Sequence, residues 1–168
     1  MAVEAWLNGK LEGYAPVLLP AAHALLQSIA DLRKFAFDLT DEELRKRPNG
    51  APSVAFHLRH IAGSINRLLT YSRGEELNDA QFDVLKRETS EHSDLSAVEL
   101  TQKTIDEIVH ALEALRNADL NNLYAERFVG RQKLPTNVFG LLFHIAEHTA
   151  RHVGQTVTTA AIVRKRGE

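Results

Sequence analysis

The residues of this chain whose type and spacing best suit chemistry are its 8 histidines. Five of them occupy two short segments, HLRH at residues 57–60 and HIAEHTARH at residues 144–152. A neutral imidazole can donate a ring-nitrogen lone pair to a divalent cation, and this also satisfies a nitrogen that burial would otherwise leave without a partner. The two segments therefore predict a metal site built from histidines.

The later segment has the spacing of a helix face that carries two ligands. A helix turns by about 100° per residue, so His148 and His152 lie about 40° apart on one side of a helix. Ile145 falls on the same side by the same count, so both imidazoles point with the core-facing residues. Two ligands do not make a tight site, and the third is expected from the earlier segment, as His57 or His60.

Helical position alone does not decide between His57 and His60. His57 lies closer to the apolar centre of its helix, whereas His60 lies at the edge of the apolar stripe, where a site would open to a cleft. For any single histidine, an ordinary core or surface position is the simpler interpretation, so the metal hypothesis depends on the combination. The remaining histidines have no partner at ligand spacing and are expected at ordinary surface or boundary positions: His23, His92 and His110.

Composition narrows the classes of function. The chain has 20 Lys+Arg and 22 Asp+Glu, a net charge of −2, which argues against a general nucleic-acid binder. Cysteine is absent, which excludes disulfides, thiolate zinc sites and a cysteine nucleophile. Any thiol in the chemistry of this protein must therefore arrive on a ligand.

No membrane or export segment is recognisable in the sequence. The longest apolar stretch, residues 15–29, is interrupted by prolines and polar residues and falls short of the about 20 apolar residues of a membrane span. The first residues lack the basic and apolar regions of a secretory signal. We expect a soluble, cytoplasmic protein without a membrane partner.

The elements that must position the histidines are helical. Apolar residues recur at steps of three and four over residues 17–39, 52–74, 96–117 and 136–164, as is typical of long amphipathic helices. Capping boxes begin at Thr40 and Ser96, and Thr136 is expected to cap the last long helix. Residues 124–129 are compatible with an extended segment.

The length of 168 residues, at about 150 per domain, predicts one domain over residues 1–168. Four long helices with few strand signals predict an all-α four-helix bundle. The connection between the second and third long helices, residues 75–95, is polar and long, with one short helix expected around residues 79–87. Such a connection can cross the end of the bundle and permits a topology other than simple up-down-up-down.

Two segments carry a resemblance to a known family. SVAFHLRHIA at residues 53–62 and LLFHIAEHTARHVGQ at residues 141–155 resemble the helix-two and helix-four patterns of the DinB/YfiT-like family of bacterial metal-binding four-helix bundles. Matched residue by residue, the family's metal ligands fall on His60, His148 and His152. His57 falls on a position that is usually apolar, and His144 on one that is often histidine without being a ligand.

The end of the second segment matches the family in part. The family's Gly-Gln pair falls on Gly154 and Gln155, whereas Val153 stands where the family often has arginine. Gln155 lies about one turn beyond the last histidine. Gln155, like His57 and His144, is a candidate for contact with a ligand residue or with the substrate. The other interpretation of Gln155 is an ordinary polar residue at the edge of the bundle.

The resemblance implies three neutral histidines on a divalent metal, with zinc and nickel both suited to imidazole ligands. Three protein ligands with open positions is the ligand count of a catalytic metal. Characterised relatives include transferases and isomerases that use low-molecular-weight thiols such as bacillithiol or mycothiol. The hypothesis is a metal-dependent S-transferase, or a hydrolase or isomerase, in which the metal activates a thiol cosubstrate or water for attack on a small electrophile.

Two other classes of function are compatible with parts of the sequence. HIAEH at residues 144–148 fits an inverted zinc-peptidase motif with Glu147 as base, but helical position puts Glu147 on the solvent side, near Arg151. A non-catalytic metal-binding or dimeric stress-response module is the other alternative, since the family includes members without known activity. The last helix has a second apolar flank that favours a homodimer, and relatives often dimerise: Phe139, Phe143, Ala146 and Val157. Arg59, Arg67 and Arg151 are expected mainly on solvated faces.

Overall fold

Four long helices dominate the part of the chain that the computed structural model describes, residues 3–89 and 95–164. They are α1 (Leu19–Phe35), α3 (Val54–Ser72), α5 (Ala97–Arg116) and α6 (Val138–Val163). Two short helices, α2 (Asp41–Arg45) and α4 (Asp79–Arg87), lie in the connections before and after α3. An antiparallel hairpin of β1 (Glu126–Val129) and β2 (Leu134–Asn137) precedes α6. The prediction of a mostly all-α fold is confirmed.

The helices begin where short polar side chains can satisfy their first free amide groups. Thr40 and Ser96 form the predicted capping boxes, each exchanging hydrogen bonds with the glutamate three residues on. Ser53 caps α3 by accepting from the backbone amide of Phe56. A further capping box at Asn78 starts α4, which spans the range expected from the sequence.

Two predicted boundaries are wrong. Thr136 does not cap α6, because it pairs with Arg127 in the hairpin; Asn137 is the cap and accepts from the amide of Gly140. The first long helix was expected to continue to Leu39 but ends at Phe35. The apolar pattern continues past that end because Ala36 and Leu39, in the following turn, are still buried in the core.

The long helices pack in the ring order α1–α6–α3–α5, in which α6 contacts both α1 and α3, and α5 contacts the same two helices from the other side. The consecutive helices α1 and α3 therefore occupy opposite corners of the bundle. A simple up-down-up-down ring would make them neighbours, so the chain has a different topology. The long connection joins α3 and α5, which are neighbours, whereas the connections from α1 to α3 and from α5 to α6 join opposite corners. None of the helices in the described residues is long and apolar enough to cross a membrane.

Two connecting segments, α4 and the hairpin, are fastened to α3. Gln81 in α4 donates from Nε2 to Asn66 Oδ1 at 2.7 Å and to Thr70 Oγ1 at 2.8 Å. In the hairpin, Arg127 donates from Nε to the Ser72 carbonyl at 2.8 Å. The two hydrogen bonds of Gln81 hold α4 against α3, and the residue that directly follows α4 is Glu88.

Two isoleucine-to-alanine substitutions should differ in their effect on stability, because one residue is buried and the other is exposed. Ile108 in α5 is fully buried, so Ile108→Ala should lower the free energy of unfolding by about 2–5 kcal/mol through lost contacts and a residual cavity. Ile162 in α6 is 62% exposed, so Ile162→Ala should change it by about 0.5 kcal/mol or less. Urea denaturation measures both values, and equal losses would show that the described packing is wrong.

Candidate metal centre

His60 on α3 faces His148 and His152 on α6. One ring nitrogen from each of the three residues lies within 4.8 Å of the others. The Nε2 atoms of His60 and His148 are 3.4 Å apart, and the ring centroids of His60 and His152 are 4.6 Å apart. The structure thus brings together the three residues that the family resemblance singled out, because the helices that carry them are neighbours in the bundle.

Each of the three rings also has a contact on its outer side. The Nδ1–H of His60 donates to Glu88 Oε2 at 2.8 Å, since a carboxylate can only accept. A neutral His60 therefore carries its proton on Nδ1 and turns the lone pair of Nε2 toward His148. Nδ1 of His148 lies 3.4 Å from Ser64 Oγ, and Nδ1 of His152 lies 3.1 Å from Nδ1 of His57.

The two α6 histidines are neutral at neutral pH. Burial, followed by the nearby His60, lowers the pKa of His148 from 6.5 to about 4. The same two causes, in the same order, lower the pKa of His152 from 6.5 to about 4. Burial also lowers the pKa of His57. Neutral imidazoles keep a free lone pair, which is the form that binds metals.

This donor set fits a divalent metal ion. Three imidazole nitrogens converge from two helices, and the outer contact of His60 leaves its inner nitrogen with a lone pair. Ligating histidines in proteins usually have such an outer partner on the second ring nitrogen. Three ligands also leave coordination positions open, as in catalytic rather than closed structural zinc sites.

The other predicted site residues differ in how close they come to the cluster. His57 is buried directly behind His152. His144 is half exposed at the edge, with its ring centroid 5.3 Å from that of His148, and it contacts Glu147 at 2.7 Å. Gln155 is exposed, and no hydrogen bond within the described residues joins it to the three histidines.

Glu88 is the neighbour of the cluster that sequence reasoning missed. Its side chain is 4% exposed, and its Oε1 accepts from Arg67 Nη1 at 2.5 Å. Burial by itself would raise the pKa of Glu88, but the hydrogen bonds from His60 and Arg67 outweigh it and lower that pKa. The expectation that Arg67 lies on a solvated face is therefore wrong, because this ion pair holds it at 11% exposure.

The polar connection that contains Glu88 gives no sequence signal for this contact, because Glu88 is 28 residues from His60 along the chain. The expectation for His23 is also wrong: it is buried in α1, and no described residue forms a hydrogen bond to its Nε2. His110 is exposed, as expected, beside Glu107. His92 lies outside the described residues.

Glu147 has the solvent-side position that the sequence predicts. Both of its carboxylate oxygens accept from Arg151 Nη2, at 2.7 and 2.6 Å. Glu147 is engaged by Arg151 and His144, and no hydrogen bond among the described residues joins it to the three converging imidazoles. The geometry gives no support to a peptidase mechanism with Glu147 as base.

The fold and the site define a class of protein, a helical bundle with a three-histidine cluster that could hold a metal ion. The family model of the DinB superfamily matches residues 24–156, a range that includes all three histidines. The chain belongs to the DinB superfamily, which confirms the resemblance found in its sequence. No curated protein matches the chain significantly.

The pKa values of His148 and His152 predict that the metal-free protein loses stability in mild acid. In the unfolded chain both imidazoles take up protons below about pH 6.5, whereas in the folded protein they stay neutral down to about pH 4. Protons therefore favour the unfolded state, and the free energy of unfolding falls as the pH drops from about 6.5 to about 4. Urea denaturation across this range, in the presence of a chelator, measures the fall.

Two variants separate these histidines from the other acid-sensitive groups. Replacing both His148 and His152 by asparagine removes the two groups, so stability should fall less steeply over the same pH range. His110→Asn changes an exposed histidine and should keep the wild-type profile. A double variant with the wild-type slope would show that the two imidazoles do not cause the fall.

Proposed function

We propose that His60, His148 and His152 bind one divalent metal ion, zinc or nickel, and that the protein is a metal-dependent S-transferase acting on small molecules, with a hydrolase or isomerase as variants of the same chemistry. The observation that carries the proposal is the convergence of three imidazole nitrogens within 4.8 Å between two packed helices. Membership of the DinB superfamily supports it.

A metal held by three imidazoles acts as a Lewis acid that favours the deprotonated form of a thiol or a water molecule near neutral pH. The chain has no cysteine, so the thiol belongs to a low-molecular-weight cosubstrate. His148 and His152 keep a free lone pair because they are neutral, and the contact of His60 Nδ1 with Glu88 leaves Nε2 of His60 free to bind the metal. The coordination positions that the three residues do not fill are left to small ligands. The side chain of His60 is 23% exposed, which supports access from solvent on that side.

The remaining predicted residues have supporting roles in this proposal. His57 orients His152 through the contact between their Nδ1 atoms. His144, half exposed beside His148, is proposed to exchange a hydrogen bond with a substrate. Gln155, exposed on the same helix, is proposed as a substrate contact at the edge of the site.

A second candidate is a non-catalytic metal-binding module that works as a homodimer. Of the apolar flank predicted on α6, Ala146 is buried, and Phe139 and Val157 pack against the core. Phe143 is 55% exposed, which favours a partner surface on this side of α6. This candidate differs from the first in expecting bound metal without turnover.

Metal content tests the ligand assignment directly. Purified protein should contain about one zinc or nickel ion per chain, and His148→Ala should lose most of it because two imidazoles make a weak site. His110→Ala, a change at an exposed histidine outside the cluster, should keep the wild-type content. Elemental analysis measures all three proteins, and unchanged metal in His148→Ala would refute the assignment.

Turnover distinguishes the two candidates. The metal-loaded protein should accelerate the reaction of bacillithiol, mycothiol or cysteine with a chlorodinitrobenzene, in which the sulfur forms a C–S bond, chloride leaves and the thiol proton passes to solvent. The acceleration should disappear in His148→Ala and in the metal-free protein. Stoichiometric metal without acceleration for any of the thiols would favour the non-catalytic module, and absorbance of the thioether product provides the measurement.

A further inference from the structure

The geometry points to Glu88 as the positioning residue that fixes the orientation of His60 for metal binding. Glu88 reaches the site because it directly follows α4. The inference rests on the proposed function, since it assigns a role toward the same metal. It adds that the polar connection between α3 and α5 is part of the centre. The supporting observations are the contacts of Glu88, the packing at Gly63 and the attachment of α4 to α3.

The two oxygens of the Glu88 carboxylate accept hydrogen bonds from different side chains. Oε1 accepts from Arg67 Nη1, which compensates the charge of a side chain that is only 4% exposed. Oε2 accepts from His60 Nδ1 at 2.8 Å. Since the arginine already balances the buried charge, the second oxygen is available to hold the imidazole.

The ring of His60 is held from two directions. Glu88 fixes its Nδ1 edge, and Phe56 stacks on its face with centroids 5.5 Å apart and planes 7° from parallel. The proton on Nδ1 leaves Nε2 as the nitrogen that can bind a metal, and this nitrogen faces Nε2 of His148 at 3.4 Å. A carboxylate in this outer position also raises the basicity of the imidazole as a ligand.

Gly63 provides an independent observation. It lies in the interior of α3, where glycine weakens a helix. A Cβ at this position would stand 2.8 Å from Arg67 Nη1 and closer still to Glu88 Oε1, so the ends of these two side chains would have to move. Packing therefore explains why glycine stands at position 63, since it lets the Glu88–Arg67 pair lie against the α3 backbone.

The three candidate ligands differ in the group that contacts their outer ring nitrogen. His60 has a carboxylate, His148 has the Ser64 hydroxyl at 3.4 Å, and His152 has the neutral ring of His57. Hydrogen bonds to a charged partner are roughly twice as strong as those between neutral groups. Of the three outer contacts, the one from Glu88 is therefore expected to contribute most to metal affinity.

The test measures zinc affinity by competition with a chelator of known affinity, in the full-length protein. Glu88→Ala should weaken zinc binding by about 10–100-fold, as is typical when an outer-shell partner is removed. Glu88→Gln keeps the size and a hydrogen-bond acceptor but loses the charge, so it should weaken binding less than alanine does. The visible spectrum of the cobalt-loaded protein should shift in both variants, because the orientation and basicity of His60 change.

The chain offers a matched control for Glu88. Glu147 also accepts from one histidine, His144, and one arginine, Arg151, but that histidine is not among the three converging residues. Glu147→Gln should therefore leave zinc affinity and the cobalt spectrum unchanged. A loss as large as that of Glu88→Gln would show a general charge effect and overturn the inference.

Gly63→Ala displaces the Glu88–Arg67 pair without changing any donor atom, so it should also weaken zinc binding. Gly154→Ala on α6, where an added Cβ meets no atom within 4 Å, is its control and should leave affinity unchanged. Folded Glu88 and Gly63 variants with wild-type affinity and spectrum would overturn the role of Glu88 while leaving the metal site intact. A wild-type protein that binds no zinc would overturn the proposed function itself, and the role of Glu88 with it.

Discussion

The packing of α3 against α6 is the interaction on which the candidate centre depends. His60 comes from one helix and His148 and His152 from the other, and His60 and His148 are separated by 88 positions along the chain. Ile61 in α3 and Ile145 in α6 are fully buried, and the two helices that carry them pack against each other. The same burial that stabilises the bundle therefore sets the distances within the cluster.

Burial also decides the charge state of the site. Protonated imidazoles this close would repel one another, and transfer from water penalises each charge. The bundle resolves this by keeping His148 and His152 neutral, with pKa values of about 4. Among the described residues, Glu88 is the buried carboxylate that touches the cluster, and it keeps its charge because Arg67 and His60 both donate to it. Neutral rings beside a compensated anion are the electrostatic state that suits metal ligands.

The topology of the bundle explains why a polar connection reaches the site. α3 and α5 are neighbours in the ring, and the link that joins them packs against α3, the helix that carries His60. That link contains α4, and Gln81 fastens α4 to α3 through Asn66 and Thr70. Glu88 follows at the end of α4 and enters the space left open by Gly63. A segment with no apolar pattern thus gains its role from the place where the fold attaches it.

The sequence by itself determined what depends on local geometry. Helix periodicity and capping residues located the four long helices and α4, and four-residue spacing placed His148 and His152 on one face, because these features depend on neighbours within one helical turn. Helical angles could not choose between His57 and His60, and family resemblance had to select His60. Only the tertiary structure decided that His60 rather than His57 belongs to the three-histidine cluster, that Glu88 joins the site and that His23 is buried. These outcomes depend on contacts between segments far apart along the chain, and local periodicity carries no information about which distant residue arrives at a given face.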